Sequence, residues 1–127
     1  MYSFTGDREK HRVKIAFSGQ YVGEHDRFDA LLQETVCKVR APSGQFDCLI
    51  DMIDAPVAPQ EIASRGGDAI QWAIKHGMRK AAFATGTVTG RMQMRRLSEQ
   101  SERVEYFSTL EEALHWLDLE PIDPRTS

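Results

Sequence analysis

The chain has 127 residues, of which 41% are hydrophobic and 28% are charged, and its net charge is −3. This length is typical of one globular domain, and the composition excludes an intrinsically disordered chain. No apolar run reaches the roughly 20 residues of a membrane helix, and the N-terminus carries no apolar signal-peptide core. The two cysteines form no CxxC motif, which indicates a reducing compartment, so we expect a cytoplasmic protein.

The charge is unevenly distributed along the chain. Residues 69–98 contain no acidic side chain, whereas residues 99–123 are strongly acidic. The basic segment lacks interleaved aromatic residues, and the acidic segment can neutralise it, so we do not expect a nucleic-acid partner. Pairing within the chain, or between the subunits of a homodimer, is the favoured interpretation.

The first half of the chain is predicted to contain a hairpin, a helix and a buried strand. Alternating apolar and polar residues over 12–18 predict a strand with one wet face, preceded by a short antiparallel strand that includes Tyr2 and Phe4. An apolar stripe over residues 28–39 predicts a helix. The nearly continuous apolar run over residues 46–53 predicts an interior strand.

The second half is predicted to contain three helices and two strands, in the order helix 59–76, strand 79–84, helix 87–100, strand 103–107 and helix 109–117. Thr109 and Glu112 have the spacing of a capping box at the start of the last helix. Gly77 is expected to end the helix that begins at Pro59.

Strands that alternate with helices predict an α/β fold. We expect one domain over residues 1–117, with a mostly parallel central sheet, an N-terminal hairpin and about four helices. Residues 118–127 are expected to form a frayed tail.

Ligands of such sheets bind beyond the carboxyl ends of the strands. Asp54, Thr85, Thr87 and Arg91 lie at or just after these ends, and they are the candidate ligand-binding residues. The helix start near Thr87 could bind an anionic group, although a threonine-capped helix with a solvated Arg91 is the favoured interpretation. The glycine spacing does not match a Walker A loop.

The sequence has no pattern that indicates catalysis or a cofactor. No GxSxG, HxxxH or HExxH motif occurs, and Cys48 lies in a predicted strand, where an inert thiol is expected. Asp51 and Asp54 could hold a magnesium ion, but turn capping is the favoured role, so we expect no metal. Trp72 lies off the apolar stripe of its helix and, with Arg95, is a candidate partner contact; the alternative for Trp72 is partial burial under the neighbouring hairpin.

Several sequence segments resemble those of a known family. The segments Phe-Asp-Cys-Leu-Ile-Asp-Met from Phe46, Lys-Ala-Ala-Phe-Ala from Lys80, Val-Glu-Tyr-Phe from Val104 and Glu-Ala-Leu-His-Trp-Leu from Glu112 resemble the SpoIIAA-like proteins. That family is related to the STAS domains of anti-sigma-factor antagonists and has a loose likeness to Sec14-type lipid carriers. The resemblance covers residues 13–117.

The resemblance implies a STAS/SpoIIAA-like fold and a non-enzymatic regulatory or protein-binding module. The alternative is a carrier of a small anionic or acyl (lipid) ligand at the carboxyl edge of the sheet. Phosphoregulated STAS domains carry a serine where this chain has Ala58-Pro59-Gln60, and Ser64 is one turn too late. We therefore expect no serine-phosphorylation switch.

Overall fold

A computed structural model describes residues 2–17, 25–54, 60–86, 92, 103–120 and 122. These residues form five strands and three helices, which are β1 (Tyr2–Asp7), β2 (Arg12–Phe17), α1 (His25–Val39), β3 (Phe46–Met52), α2 (Gln60–Lys75), β4 (Met78–Thr85), β5 (Val104–Phe107) and α3 (Leu110–Asp118). Most of the predicted helix at residues 87–100 lies outside the described residues, and Met92 within it is helical.

The five strands form one mixed sheet in the order β1-β2-β3-β4-β5. β1 and β2 make the predicted antiparallel hairpin, in which Tyr2 is opposite Phe17 and Asp7 is opposite Arg12. The other three neighbouring pairs are parallel. The crossover helices therefore begin at the carboxyl edge of the parallel strands and return to their amino edge.

Helices cover both faces of the sheet. α1 and α2 pack on one face over a core that includes Val13, Ile50 and Phe83. α3 packs on the other face, where Leu117 and Ala113 contact a smaller apolar group around Leu49. β3 lies between β2 and β4, and residues 46–50 are all buried, as the continuous apolar run predicted.

Local sequence signals explain how two of the helices are bounded. Thr109 is the N-cap of α3, and its hydroxyl accepts a hydrogen bond from the Glu112 backbone N–H at 3.2 Å. Gly77 follows α2 with a φ of 108°, and a Cβ there would lie 2.2 Å from the Gly44 carbonyl oxygen. Glycine is needed at this position for both its conformation and its space.

Two predictions about polar residues need correction. Lys14 lies on the solvent-exposed face predicted for β2, but Arg12 on the same face is 5% exposed, because it pairs with Asp118 of α3. The frayed tail does not begin at Asp118: this residue ends α3 and binds Arg12, and Ile122 is buried. The remaining tail residues, 121 and 123–127, lie outside the described residues.

Candidate binding edge of the sheet

Two of the four predicted ligand-binding residues lie at the carboxyl edge of the sheet. Thr85 ends β4, and Asp54 follows β3 by two residues. Thr87 and Arg91 lie outside the described residues, so the structure does not show whether they join them. Asp54 is exposed, whereas Thr85 is 3% exposed.

Among the described residues, the Thr85 hydroxyl is buried without a hydrogen-bond partner. Thr85 is opposite Met52 in the β3–β4 pairing, and the adjacent Gly86 lies so close to β3 that a Cβ there would be 2.7 Å from the Ile53 carbonyl oxygen. An unpartnered buried hydroxyl costs on the order of 1–3 kcal/mol of stability. The Thr85 hydroxyl is therefore a buried polar group at this edge that a bound ligand could satisfy.

Asp51 has a local structural role. Its Oδ1 accepts a hydrogen bond from the Ile53 backbone N–H at 3.1 Å, which closes a turn after β3. This is the turn-capping role that the sequence favoured over magnesium binding. Among the described residues, no three His, Cys, Asp or Glu side chains are close enough together to hold a metal ion.

Half-buried apolar side chains occupy the same edge. Phe17 at the end of β2 stacks on Phe28 of α1 at a ring distance of 6.0 Å, and Tyr2 at the start of β1 contacts Phe28 edge-on at 5.2 Å. Met52 and Ile53 at the end of β3 are also half-buried. We call the half-buried side chains Tyr2, Phe17, Phe28, Met52 and Ile53 the apolar edge.

An ion-pair network lies at the opposite, amino edge. Arg79 donates two hydrogen bonds to the Asp47 carboxylate, from Nε to Oδ1 at 3.1 Å and from Nη2 to Oδ2 at 2.8 Å. Asp47 is 1% exposed and lies opposite Arg12, whose Nη2 donates to Asp118 Oδ1 at 2.7 Å. These contacts fix the end of α3 to the sheet.

The two acids of the network have pKa values that are displaced in opposite directions. Burial raises the pKa of Asp47 above its ordinary value, although Arg79 and Arg12 act against this. The hydrogen bond from Arg12 lowers the pKa of Asp118. Burial, with a further effect of the Asp47 charge, raises the pKa of the Cys48 thiol, which agrees with the inert thiol expected from the sequence.

The sequence reasoning missed this network, although a signal for it was present. Asp47 is the one charged residue among the buried positions 46–50 of β3, and a buried carboxylate needs a charged partner. Arg12 and Arg79 are the candidate partners for this carboxylate, because each lies at the start of a strand next to β3. The sequence alone did not show that these strand starts are adjacent.

The described residues include one of the two predicted partner contacts, Trp72. Trp72 is half-buried, packs against the core and stacks on the exposed His76 at a ring distance of 4.1 Å. The His76 Nδ1 is hydrogen-bonded to the Trp72 carbonyl at 2.7 Å. Arg95 lies outside the described residues.

The arrangement of strands and helices is a SpoIIAA-like fold. The chain is similar to the crystal structure of an uncharacterised protein of the DUF3478 family from Shewanella loihica PV-4, which is described as having this fold. The two share 16% sequence identity over 92% of each chain, with a TM-score of 0.63. No family model matches the sequence, and no curated protein matches it either. None of the described helices is long and apolar enough to cross a membrane.

Proposed function

We propose that the chain is a non-enzymatic regulatory module that binds a protein partner at the carboxyl edge of its sheet. The apolar edge carries this proposal, since it places half-buried aromatic and aliphatic side chains at the ends of β2 and β3. Apolar side chains that keep part of their surface in water gain free energy when a partner covers them.

The electrostatics of the described residues support binding rather than acid–base chemistry at this edge. The acids with displaced pKa values, Asp47 and Asp118, lie in the ion-pair network at the opposite edge. Cys48 is deep in the core, where its raised pKa keeps the thiol protonated. The resemblance of the sequence to SpoIIAA-like proteins also favours a protein partner, because that family is related to anti-sigma-factor antagonists.

The state of the cysteines supports a cytoplasmic location for this module. Cys37 is exposed on α1 and Cys48 is buried in β3, and both are free thiols. An exposed free thiol is compatible with a reducing compartment, whereas oxidising compartments favour paired cysteines.

The proposal is tested by capture with two variants that each add one arginine at an exposed position. Asp54→Arg alters the edge next to Ile53, whereas Leu114→Arg alters the outer surface of α3. We expect the unaltered chain and Leu114→Arg to retain the same partner from a cell extract, and Asp54→Arg to retain less of it. Quantitative mass spectrometry of the captured proteins measures the difference.

Circular dichroism of both variants checks the fold, which we expect to be intact because both positions are exposed. Equal capture by all three chains would place the partner surface elsewhere. Capture of no protein by any of them would refute a protein-binding module.

A second candidate function is the binding of a small, mainly apolar ligand, and the unpartnered Thr85 hydroxyl is the observation that favours it. The hydroxyl now has almost no accessible surface, so a ligand would have to replace the atoms that cover it. A polar group on such a ligand would satisfy the hydroxyl, and the ligand's apolar part would cover Met52 and Ile53.

Native mass spectrometry distinguishes this candidate. A retained ligand gives a mass excess that disappears on denaturation, and Thr85→Val should reduce it because the hydrogen-bonding group is gone. A bare mass, with no thermal shift in the presence of anions or acyl lipids, would count against ligand binding.

A further inference from the structure

The outer edge of β1 is an unusually regular sheet edge. β1 is the first strand of the sheet, and its six residues pair with β2 in an unbroken register with no bulge. The strand contains no proline or lysine, and its one charged residue, Asp7, is the last. Bulges, prolines, lysines and charges in mid-strand normally protect an edge strand from pairing with another chain, and β1 has none of them. Among the described residues, no strand pairs with the outer side of β1.

The opposite edge of the sheet differs from β1. β5 has four residues, and the exposed Glu105 lies within it. A short strand with an exposed charge is a poor template for a further strand. The comparison singles out β1 as the edge that is open to pairing.

The flank of α1 above this edge also has half-buried residues. α1 lies over β1 and β2, and a Cβ on Gly6 would meet the side chains of Val39 and Thr35 at 2.6 Å and 3.5 Å. Thr35 lies next to Gly6 on this side of α1, Leu31 precedes it by one helical turn, and both are half-buried, whereas Phe28 packs inward on the rings of Tyr2 and Phe4. Residues with this spacing form one stripe along a helix.

We propose that β1 pairs with β1 of a second copy of this chain, antiparallel and about a two-fold axis perpendicular to the sheet. This axis keeps both α1 helices on the same face, so residues that face α1 must be opposite each other. Phe4 then lies opposite Phe4 of the second copy, Tyr2 opposite Gly6, and Ser3 opposite Thr5.

This register suits the charge of the strand. Asp7 falls outside the paired segment, where its Oδ1 already accepts hydrogen bonds from the Glu9 and Lys10 backbone N–H groups. The two Asp7 side chains lie at opposite ends of the new ladder, about 20 Å apart at ~3.4 Å per residue. A parallel pairing would instead place them side by side.

The helices fit the same arrangement. Neighbouring strands are about 4.8 Å apart, so a helix centred over β1 and β2 would lie about 10 Å from its symmetry mate across the new strand pair. Packed helices have axes about 8–10 Å apart. Thr35, which lies next to Gly6, would therefore approach its own copy, and the dimer would have one continuous ten-stranded sheet.

Two double variants of the full chain test the pairing by the sign of one charge. Ser3→Glu with Thr5→Glu places glutamates opposite each other on both sides of the central Phe4 pair. Ser3→Lys with Thr5→Glu places lysine opposite glutamate at the same two places. Ser3 and Thr5 are exposed, and the shared Thr5→Glu change lies opposite Lys14 within each chain, so both variants should fold.

Sedimentation velocity from micromolar to millimolar concentration gives the dimer dissociation constant of each chain. Cross-strand pairs contribute roughly 0.2–1 kcal/mol each, so we expect the glutamate–glutamate variant to dissociate about tenfold more readily than the lysine–glutamate variant. Circular dichroism checks that both are folded. A chain that stays monomeric throughout, or dimers that do not respond to the sign of the charge at residue 3, would overturn the proposal. Either result leaves the proposed function to be judged by its own capture experiment.

Discussion

At the scale of single residues, buried polar side chains divide into satisfied and unsatisfied groups. Asp47 has two hydrogen bonds from Arg79, and Arg12 binds Asp118 with one of its nitrogens. Within the part of the chain that the structure describes, the Thr85 hydroxyl and the Arg12 Nε are buried without a partner. The bonded atoms hold strands and helices together. The buried atoms without a partner lower the stability of the fold, so substituting them should change the free energy of unfolding.

Thr85→Val should stabilise the chain by about 1 kcal/mol, because it removes an unsatisfied buried hydroxyl and keeps a side chain of similar shape. Denaturant unfolding measures the change. Thr109→Val is the control, since it deletes a hydroxyl that does cap a helix and should destabilise by about 1 kcal/mol. A loss of stability in Thr85→Val would show that the hydroxyl has a partner in solution.

Asp118 should make stability depend on acid pH. Its pKa is lowered from 3.8 by Arg12, so the ionised form is favoured in the folded chain, and this stabilisation is fully present above the unfolded pKa. It is lost as pH falls below about 4 and through the lower folded pKa. We expect Asp118→Asn to be less stable than the unaltered chain at pH 7 and to lose less stability on acidification.

Unfolding by denaturant at a series of pH values measures this effect. Glu34→Gln is the control, because it breaks an exposed ion pair with Lys38 within α1. Exposed pairs contribute little, so its pH profile should follow that of the unaltered chain. If the profile of Asp118→Asn followed it too, Arg12 and Asp118 would not be coupled in solution.

At the scale of elements, the position of a strand in the sheet decides how much each side chain contributes. Ile50 lies in β3 between two parallel neighbours and is 7% exposed, whereas Leu114 on α3 is 36% exposed. Both residues are apolar, and each lies within a predicted strand or helix. Only their surroundings separate them.

Ile50→Ala should destabilise the chain by roughly 2–5 kcal/mol, through lost burial and the cavity it leaves. Leu114→Ala should cost less than about 1 kcal/mol, since water already reaches that side chain. Thermal or denaturant unfolding of the two variants gives the comparison. Equal losses would contradict the assignment of β3 to the interior of the sheet.

The individual elements were largely predictable. Alternating residues predicted the hairpin, the continuous apolar run predicted β3, and the spacing of Thr109 and Glu112 predicted the start of α3. Each of these signals is local, because it depends on residues within one strand or one helical turn. The predicted helix over residues 87–100 stays a prediction, except at Met92.

At the scale of the whole molecule, the two cysteines differ in their access to solvent, and their reactivity therefore measures how readily the fold opens. Cys37 lies on the exposed side of α1, whereas Cys48 is buried in β3 with a raised thiol pKa. We expect one thiol to react rapidly with a maleimide in the native chain. The second should react only when the molecule opens, because thiolates and not buried thiols are nucleophilic.

Mass spectrometry of the labelled chain over time measures both rates. Cys37→Ser should leave a single slow phase, and denaturant should accelerate that phase. A rapid reaction at Cys48 in native conditions would show that the sheet interior opens without global unfolding.

The sequence by itself determined the class of fold, the order of the elements and the resemblance to SpoIIAA-like proteins, because these depend on local periodicity and on phrases within single elements. Tertiary structure alone decided that Arg12 is buried, that Asp118 and Ile122 are held against the domain, and that Thr85 lacks a partner. Each of these depends on which strand ends and helix ends become neighbours. Residues far apart in the chain, such as Arg12 and Asp118, acquire their roles only when the sheet brings them together.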